Sequence, residues 1–183
     1  MNNKKIITVF GSSLPRSGEQ QYEDAYRLGE LLAQNNFDLC TGGNMGIMEA
    51  VSKAAVNNGA RAIGITLNGS FGNCNDYLSE HIICNTLPER INRLAGIGDG
   101  FLVLQGGTGT LLELASVWEF INKGFLDTKP VVCYGSMWAG IVETIEKQIQ
   151  LEKRKTGLVR YSDSIEDCVR YLAASMVKSE LEK

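Results

Sequence analysis

The chain has 183 residues, 44% hydrophobic and 21% charged, with a net charge of −3. This is enough for one domain over residues 1–183 with a sizeable core, and the scattered Lys and Arg point neither to nucleic acid nor to a membrane surface. No apolar run approaches the roughly 20 residues that span a bilayer, and Met1-Asn-Asn-Lys-Lys5 leads straight into a short strand rather than a signal-peptide core, so a cytoplasmic location is expected.

Strand and helix patterns alternate along the chain. Residues 6–10 are a short β-branched run that ends at Gly11. Ser12, Ser13 and a polar loop through Gly18 follow. Tyr22, Ala25, Leu28, Gly29 and Leu32 recur at three and four residues and predict a helix over about 19–34. Residues 37–41 form the second strand. Gly42-Gly43-Asn44-Met45-Gly46 is a glycine turn that opens a helix over about 47–58. Residues 61–66 are the third strand, and 67–80 have no periodicity and are rich in Asn, Gly and Ser. Such a long loop in a compact domain is commonly functional or mobile. Residues 81–86 are the fourth strand, and Pro88 suits the first turn of a helix carrying Glu89, Arg90, Asn92 and Arg93. A buried strand over 101–104 stops at Gly106-Gly107-Thr108-Gly109-Thr110 and restarts as a helix. A strand over 130–135, a helix over 138–153, a short strand near 159–161 and a closing helix from 164 complete the chain.

Continuous apolar strands separated by helices describe an α/β fold: one Rossmann-like, doubly wound parallel sheet with helices on both faces. Ligands of such sheets sit beyond the carboxyl ends of the strands. That rule gathers Ser12, Ser13, Gly42, Gly43, Gly106, Gly107 and Thr108 along one edge. Gly106, Gly107 and Gly109 let a ligand approach the main chain, and the free N–H groups of the first turn of the helix that follows suit a phosphate. The dinucleotide fingerprint is not met, since Gly-Gly-Thr-Gly-Thr lacks its last glycine. A mononucleotide phosphate fits better than NAD, and no cofactor is expected.

Glu113 stands three residues past Thr110 and has two readings. Thr110-Leu-Leu-Glu113 spells a capping box, with Thr at N-cap and Glu at N3, and spacing alone favours it. The other reading is an acid held beside the phosphate site. Glu49 is either a second acid or a first-turn residue favoured by the helix dipole. Ser12 and Ser13 either bond a nucleotide or cap a turn. Cys40, Cys74, Cys84, Cys133 and Cys168 are dispersed, with none paired at two-residue spacing, as expected of reduced thiols. His81 is the only histidine, which excludes a two-histidine metal site. It lies in a strand with no evident partner, so neither a metal site nor a catalytic histidine is expected.

Gly106-Gly-Thr-Gly-Thr-Leu-Leu-Glu113 resembles the Pro-Gly-Gly-x-Gly-Thr-x-x-Glu signature of the LOG proteins. These were long labelled lysine decarboxylase-like and are similar to nucleoside 5′-monophosphate phosphoribohydrolases. Thr41-Gly-Gly-Asn-Met-Gly-Ile-Met-Glu-Ala50, which includes Gly42, Gly43, Gly46 and Glu49, resembles that family's other glycine motif, and Gly11-Ser12-Ser13 its first strand end. Arg90 stands where the family carries an arginine; without the resemblance it reads as a solvated helix charge. The likeness runs over about 5–135. Gln105 replaces the signature proline, Ile91 replaces a lysine, and Asn44-Met45 replaces a Gly-rich pair.

The resemblance implies hydrolysis of the N-glycosidic bond of a nucleoside 5′-monophosphate, releasing a free base and ribose 5-phosphate. Glu113 would stabilise the oxocarbenium-like transition state or align water. Arg90 would grip phosphate or help the leaving base. Arg93, on the same helical face, would supply the charge that Ile91 lacks. The resemblance also implies a homodimer paired through helices near the signature. Residues 111–121 agree, because Leu111, Leu112, Leu114, Ala115, Val117, Trp118, Phe120 and Ile121 are apolar nearly all round. The same superfamily includes proteins similar to molybdenum-cofactor carriers, so a non-catalytic nucleotide or cofactor carrier is the alternative. No lysine lies within either glycine turn, so the Schiff base of a pyridoxal enzyme is not expected.

Overall fold

The computed structural model describes residues 4–69 and 74–181. In chain order they form β1 (Ile6–Phe10), α1 (Gln20–Gln34), β2 (Asp38–Thr41), α2 (Ile47–Asn57), β3 (Ala62–Leu67), β4 (Glu80–Cys84), α3 (Leu87–Ile97), β5 (Gly100–Val103), α4 (Thr108–Asn122), β6 (Val131–Tyr134), α5 (Ser136–Leu151), β7 (Val159–Ser162) and α6 (Ile165–Leu181). The strands build one parallel sheet in the order β4-β3-β2-β1-β5-β6-β7. The chain winds outward from β1 in one direction, returns to β5 and winds outward in the other. The switch point therefore lies between β1 and β5, where open α/β sheets bind ligands.

Both faces of the sheet are covered, which is why its inner strands are apolar without alternation. On one face Ile7, Val9, Leu39 and Leu102 pack against Leu28 and Leu32 of α1, Val51 of α2 and Leu172 of α6. On the other, Phe10, Ile63, Ile65, Phe101 and Val103 pack against Leu94 of α3, Leu114 and Trp118 of α4, and Trp138 of α5.

Most element bounds shift from the sequence expectation by only a residue or two, β4 at Glu80–Cys84 and α5 from Ser136 among them, but the start of α4 matters for the site. The signature strand ends at Val103, and α4 begins at Thr108, two residues before the expected Thr110 cap. Between β3 and β4 the described part of the connection carries no helix, as the lack of periodicity over 67–80 leads one to expect. Of the 67–80 loop, residues 70–73 lie outside the described residues. The rest is held by polar contacts rather than by an apolar stripe.

Trp138 fixes the end of the signature strand. It is fully buried, and its Nε1–H donates to the Leu104 carbonyl at 3.1 Å, directly before Gln105 and the glycine turn. Trp138→Phe keeps most of the buried area but orphans that carbonyl, so it is expected to cost about 1–3 kcal/mol. Urea unfolding reads this as a lower midpoint at unchanged slope; an unmoved midpoint would contradict the anchor.

Candidate functional site

Three loops meet at the switch point. The Ser12 N–H donates to the Gln105 carbonyl at 3.0 Å, and the Ser12 carbonyl accepts from Ile47 N–H at 2.9 Å. The end of β1 thus ties the start of α2 to the signature loop. Gly46 makes this approach possible: its φ is +69°, and a Cβ there would lie 2.5 Å from the Ser13 carbonyl carbon. Ser12 Oγ accepts from Leu14 N–H at 3.2 Å, while Ser13 is exposed. Ser12 also lines an open cleft with Leu14, Pro15, Glu19, Gln20 and Gln21. At its side Gln21 Nε2 donates to Gln105 Oε1 at 2.5 Å, so the residue that replaces the signature proline joins α1 to the loop.

The two glycine turns are built differently. In the first, Gly43 N–H donates to Thr41 Oγ1 at 3.0 Å, and Ile47 N–H, the first of α2, is taken by Ser12. Asn75 closes the turn from outside. It is buried, its backbone N–H donates to the Gly43 carbonyl at 3.0 Å, and its Nδ2 donates to the Gly43 and Asn44 carbonyls at 3.2 and 2.9 Å. Its Oδ1 accepts from Tyr77 N–H at 3.1 Å, and the Tyr77 ring lies under Lys53 Nζ. Nothing periodic marks Asn75 in the sequence; the only pointer is its place in a long polar loop. In the second turn, Gly107 is the N-cap of α4 and makes no side-chain cap. Thr110 is buried against Gly106, where any Cβ would overlap its Oγ1. A Cβ at Gly107 or Gly109 would meet no atom of the chain within 4 Å. Packing does not require glycine at those two positions, and the backbone at the start of α4 is open to a ligand.

Glu113 is not the N3 residue of a capping box. With α4 starting at Thr108, it lies in the second turn, and its carboxylate turns to Arg90 instead. Arg90 Nη1 donates to Glu113 Oε1 at 3.0 Å, with side chains only 11% and 12% exposed. Arg90 is no solvated helix charge either. Its Nε donates to the Ile65 carbonyl at 2.7 Å and its Nη2 to the Gly42 carbonyl at 3.3 Å. Gly42 has to be glycine, because a Cβ there would overlap that Nη2. Thr86 Oγ1 accepts from Glu89 N–H at 3.3 Å and caps α3, with Pro88 in its first turn. Ile91 is buried in the core, whereas Arg93 is 56% exposed and pairs with Glu89 at 3.8 Å. The structure therefore gives Arg93 a surface partner and does not bring it to Glu113. Glu49 is half-buried in the first turn of α2. Among the described residues no group of three or more His, Cys, Asp and Glu could hold a metal ion.

Burial raises the Glu113 carboxyl above its ordinary value, and the charge and hydrogen bond of Arg90 offset that only in part. Arg90→Leu removes the offset. The Glu113 carboxyl should then titrate at still higher pH, visible as a displaced side-chain carboxyl resonance in a carbon NMR titration. Stripping one partner from a buried pair is expected to cost about 3–5 kcal/mol while the carboxylate stays charged. The loss should shrink as pH falls through the raised value and the acid takes up a proton. A Glu113 titration unmoved by Arg90→Leu would contradict the pairing.

The family model described as the SLOG cluster4 family matches residues 4–169. The cytokinin riboside 5′-monophosphate phosphoribohydrolase of Rhodococcoides fascians is 29% identical over 70% of this chain and 66% of its own length. An Arabidopsis thaliana protein of the same name is 33% identical over 70% of this chain and 61% of its own. The chain thus spans somewhat less than two thirds of the length of these relatives. The molybdenum cofactor carrier protein of Chlamydomonas reinhardtii superposes with a TM-score of 0.74 at 25% identity, over 99% of this chain and 100% of that one. The motifs at both glycine turns, the doubly wound sheet and the near full-length family match lead to one conclusion: the chain belongs to the SLOG cluster4 family, within the LOG-like proteins.

Proposed function

We propose that this protein is a phosphoribohydrolase that cleaves the N-glycosidic bond of a nucleoside 5′-monophosphate, giving the free base and ribose 5-phosphate. One observation carries the reading: a buried Arg90–Glu113 pair stands one helical turn from the open N-terminus of α4. The phosphate sits on the backbone of Gly106–Thr110, where the helix dipole and free N–H groups favour an anion. That seats the ribose over the second turn of α4, toward Glu113. As the C1′–N bond lengthens, the carboxylate stabilises the growing positive charge and aligns water for attack at C1′. The base leaves with its bonding pair, water adds its hydroxyl to C1′, and the proton that water releases ends on the base. Three donors of Arg90 are engaged by protein acceptors. Arg90 is therefore a positioning residue for the Glu113 carboxylate in this reading, rather than the main phosphate grip. Ser12 and Ser13 border the ligand, while Gly11, Gly42, Gly43, Gly46 and Glu49 shape the neighbouring turn.

The carrier reading has its own support in the likeness to the molybdenum cofactor carrier over nearly the whole of both chains. Turnover separates the two, since a carrier binds without releasing base.

The unit we propose is a homodimer. The inner face of α4 is buried through Leu114, Val117, Trp118 and Ile121, yet Leu111 and Leu112 remain 40% and 42% exposed on the same helix and Ala115 is exposed beside them. A second copy would cover that stripe. Light scattering at micromolar concentration should return twice the 20.0 kDa chain mass; a single chain mass would contradict it.

Glu113→Gln tests the chemistry. The amide keeps a hydrogen bond to Arg90 and nearly the same shape, so the variant should fold and still bind nucleoside 5′-monophosphate. Base release should fall on the order of a hundredfold or more, as when a preorganised electrostatic group is removed. A variant that hydrolyses at the parent rate would overturn the assignment.

A further inference from the structure

Thr66 on β3, His81 on β4 and Cys74 on their connection form a cluster that the proposed reaction does not use. The parallel register sets Gly64 beside His81 and Thr66 beside Ile83, so the imidazole leans along the strands toward Thr66. Thr66 Oγ1 lies 2.7 Å from His81 Nε2. Cys74 Sγ lies 3.1 Å from the same nitrogen and 3.8 Å from Nδ1. His81 is therefore not the partnerless strand histidine that the sequence suggested. The imidazole is exposed and the thiol half-buried, so reagents in solvent can reach both. The other four thiols are buried. Burial pushes all four up, to about 12 for Cys40 and Cys168, which keeps them protonated and inert.

A thiol in contact with an imidazole is the pairing of a nucleophile with its base, and here Thr66 shares the ring nitrogen that faces the sulfur. We infer that Cys74, with His81 as its base, is a reactive thiol that hydroperoxides convert to a sulfenic acid, and that this modification loosens the neighbouring glycine turn. The imidazole takes the thiol proton. The thiolate sulfur attacks the terminal oxygen of the hydroperoxide; an S–O bond forms as the O–O bond breaks, and sulfur gives up two electrons. The departing alkoxide or hydroxide takes the proton from the imidazolium and leaves as alcohol or water. The consequence passes to the next residue. Asn75 holds the Gly43 and Asn44 carbonyls, and Thr66 packs on the same turn, since a Cβ at Gly43 would lie 2.7 Å from Thr66 Cγ2. An added oxygen on Cys74 displaces the sulfur from His81 and shifts the backbone that carries Asn75.

The test needs no catalytic activity. The intact protein is treated with dilute hydrogen peroxide in the presence of dimedone, which traps sulfenic acids, and digested for mass spectrometry. The label should appear on Cys74, stay off the four buried cysteines and vanish in Cys74→Ser. His81→Gln, on an exposed edge strand with an amide that can still reach Thr66, should fold and slow labelling about tenfold, through loss of the base that makes the thiolate. Hydrogen exchange of residues 42–46 should quicken on oxidation of the parent and not of Cys74→Ser. Absent Cys74 label, equal rates in parent and His81→Gln, or unchanged exchange after complete oxidation would overturn the proposal.

Discussion

The site depends on how one buried guanidinium is satisfied. Arg90 leaves α3 and hydrogen-bonds the Ile65 carbonyl of β3, the Gly42 carbonyl of a glycine turn and the Glu113 carboxylate of α4. A buried cation without acceptors would cost several kcal/mol, so these elements are constrained to the positions that supply them. The constraint also runs backward into the sequence. Gly42 cannot carry a side chain because Arg90 Nη2 occupies that space. Glu113 lies in the second turn of α4, past the N3 position of a cap, and its Oε1 accepts from a residue 23 positions away in the chain.

The two glycine turns divide the work at the switch point. The turn after β2 is stitched to the protein by Thr41, Ser12 and Asn75, and its glycines serve close packing and a left-handed backbone. The turn after β5 is anchored beneath by Trp138 and laterally by Ser12 but presents the N-terminus of α4 outward. One turn is a wall and the other a cradle. This asymmetry follows from where backbone hydrogen bonds are already made, and it supports the proposal that a ligand's phosphate would lie at Gly107–Thr110.

Much of this was legible in the sequence. Parallel strands buried on both faces are continuous apolar runs, so the inner strands and the switch-point edge could be read directly. What escaped depends on contacts distant in the chain. Thr110-Leu-Leu-Glu113 has the spacing of a capping box, but α4 starts earlier, at Gly107–Thr108, and the pull of Arg90 decides where Glu113 points. Arg93 lies three residues after Arg90, close enough in angle to share a broad face. The remaining rotation carries it from the core to the surface, where Glu89 meets it. His81 finds Thr66 and Cys74 only through the register of β3 with β4 and the path of the loop between them. Asn75 binds carbonyls 31 and 32 residues away, a link that no local pattern encodes.

The central claim is that the Arg90–Glu113 pair and the α4 cradle act together on a phosphorylated nucleoside. The most direct measurement incubates the purified protein with a panel of nucleoside 5′-monophosphates and their unphosphorylated nucleosides, and quantifies free base and sugar product. The account predicts base and ribose 5-phosphate in equal amounts from at least one monophosphate, with little product from the matching nucleoside. Saturable binding of a monophosphate with no product, across the whole panel, would contradict it and leave the protein a carrier.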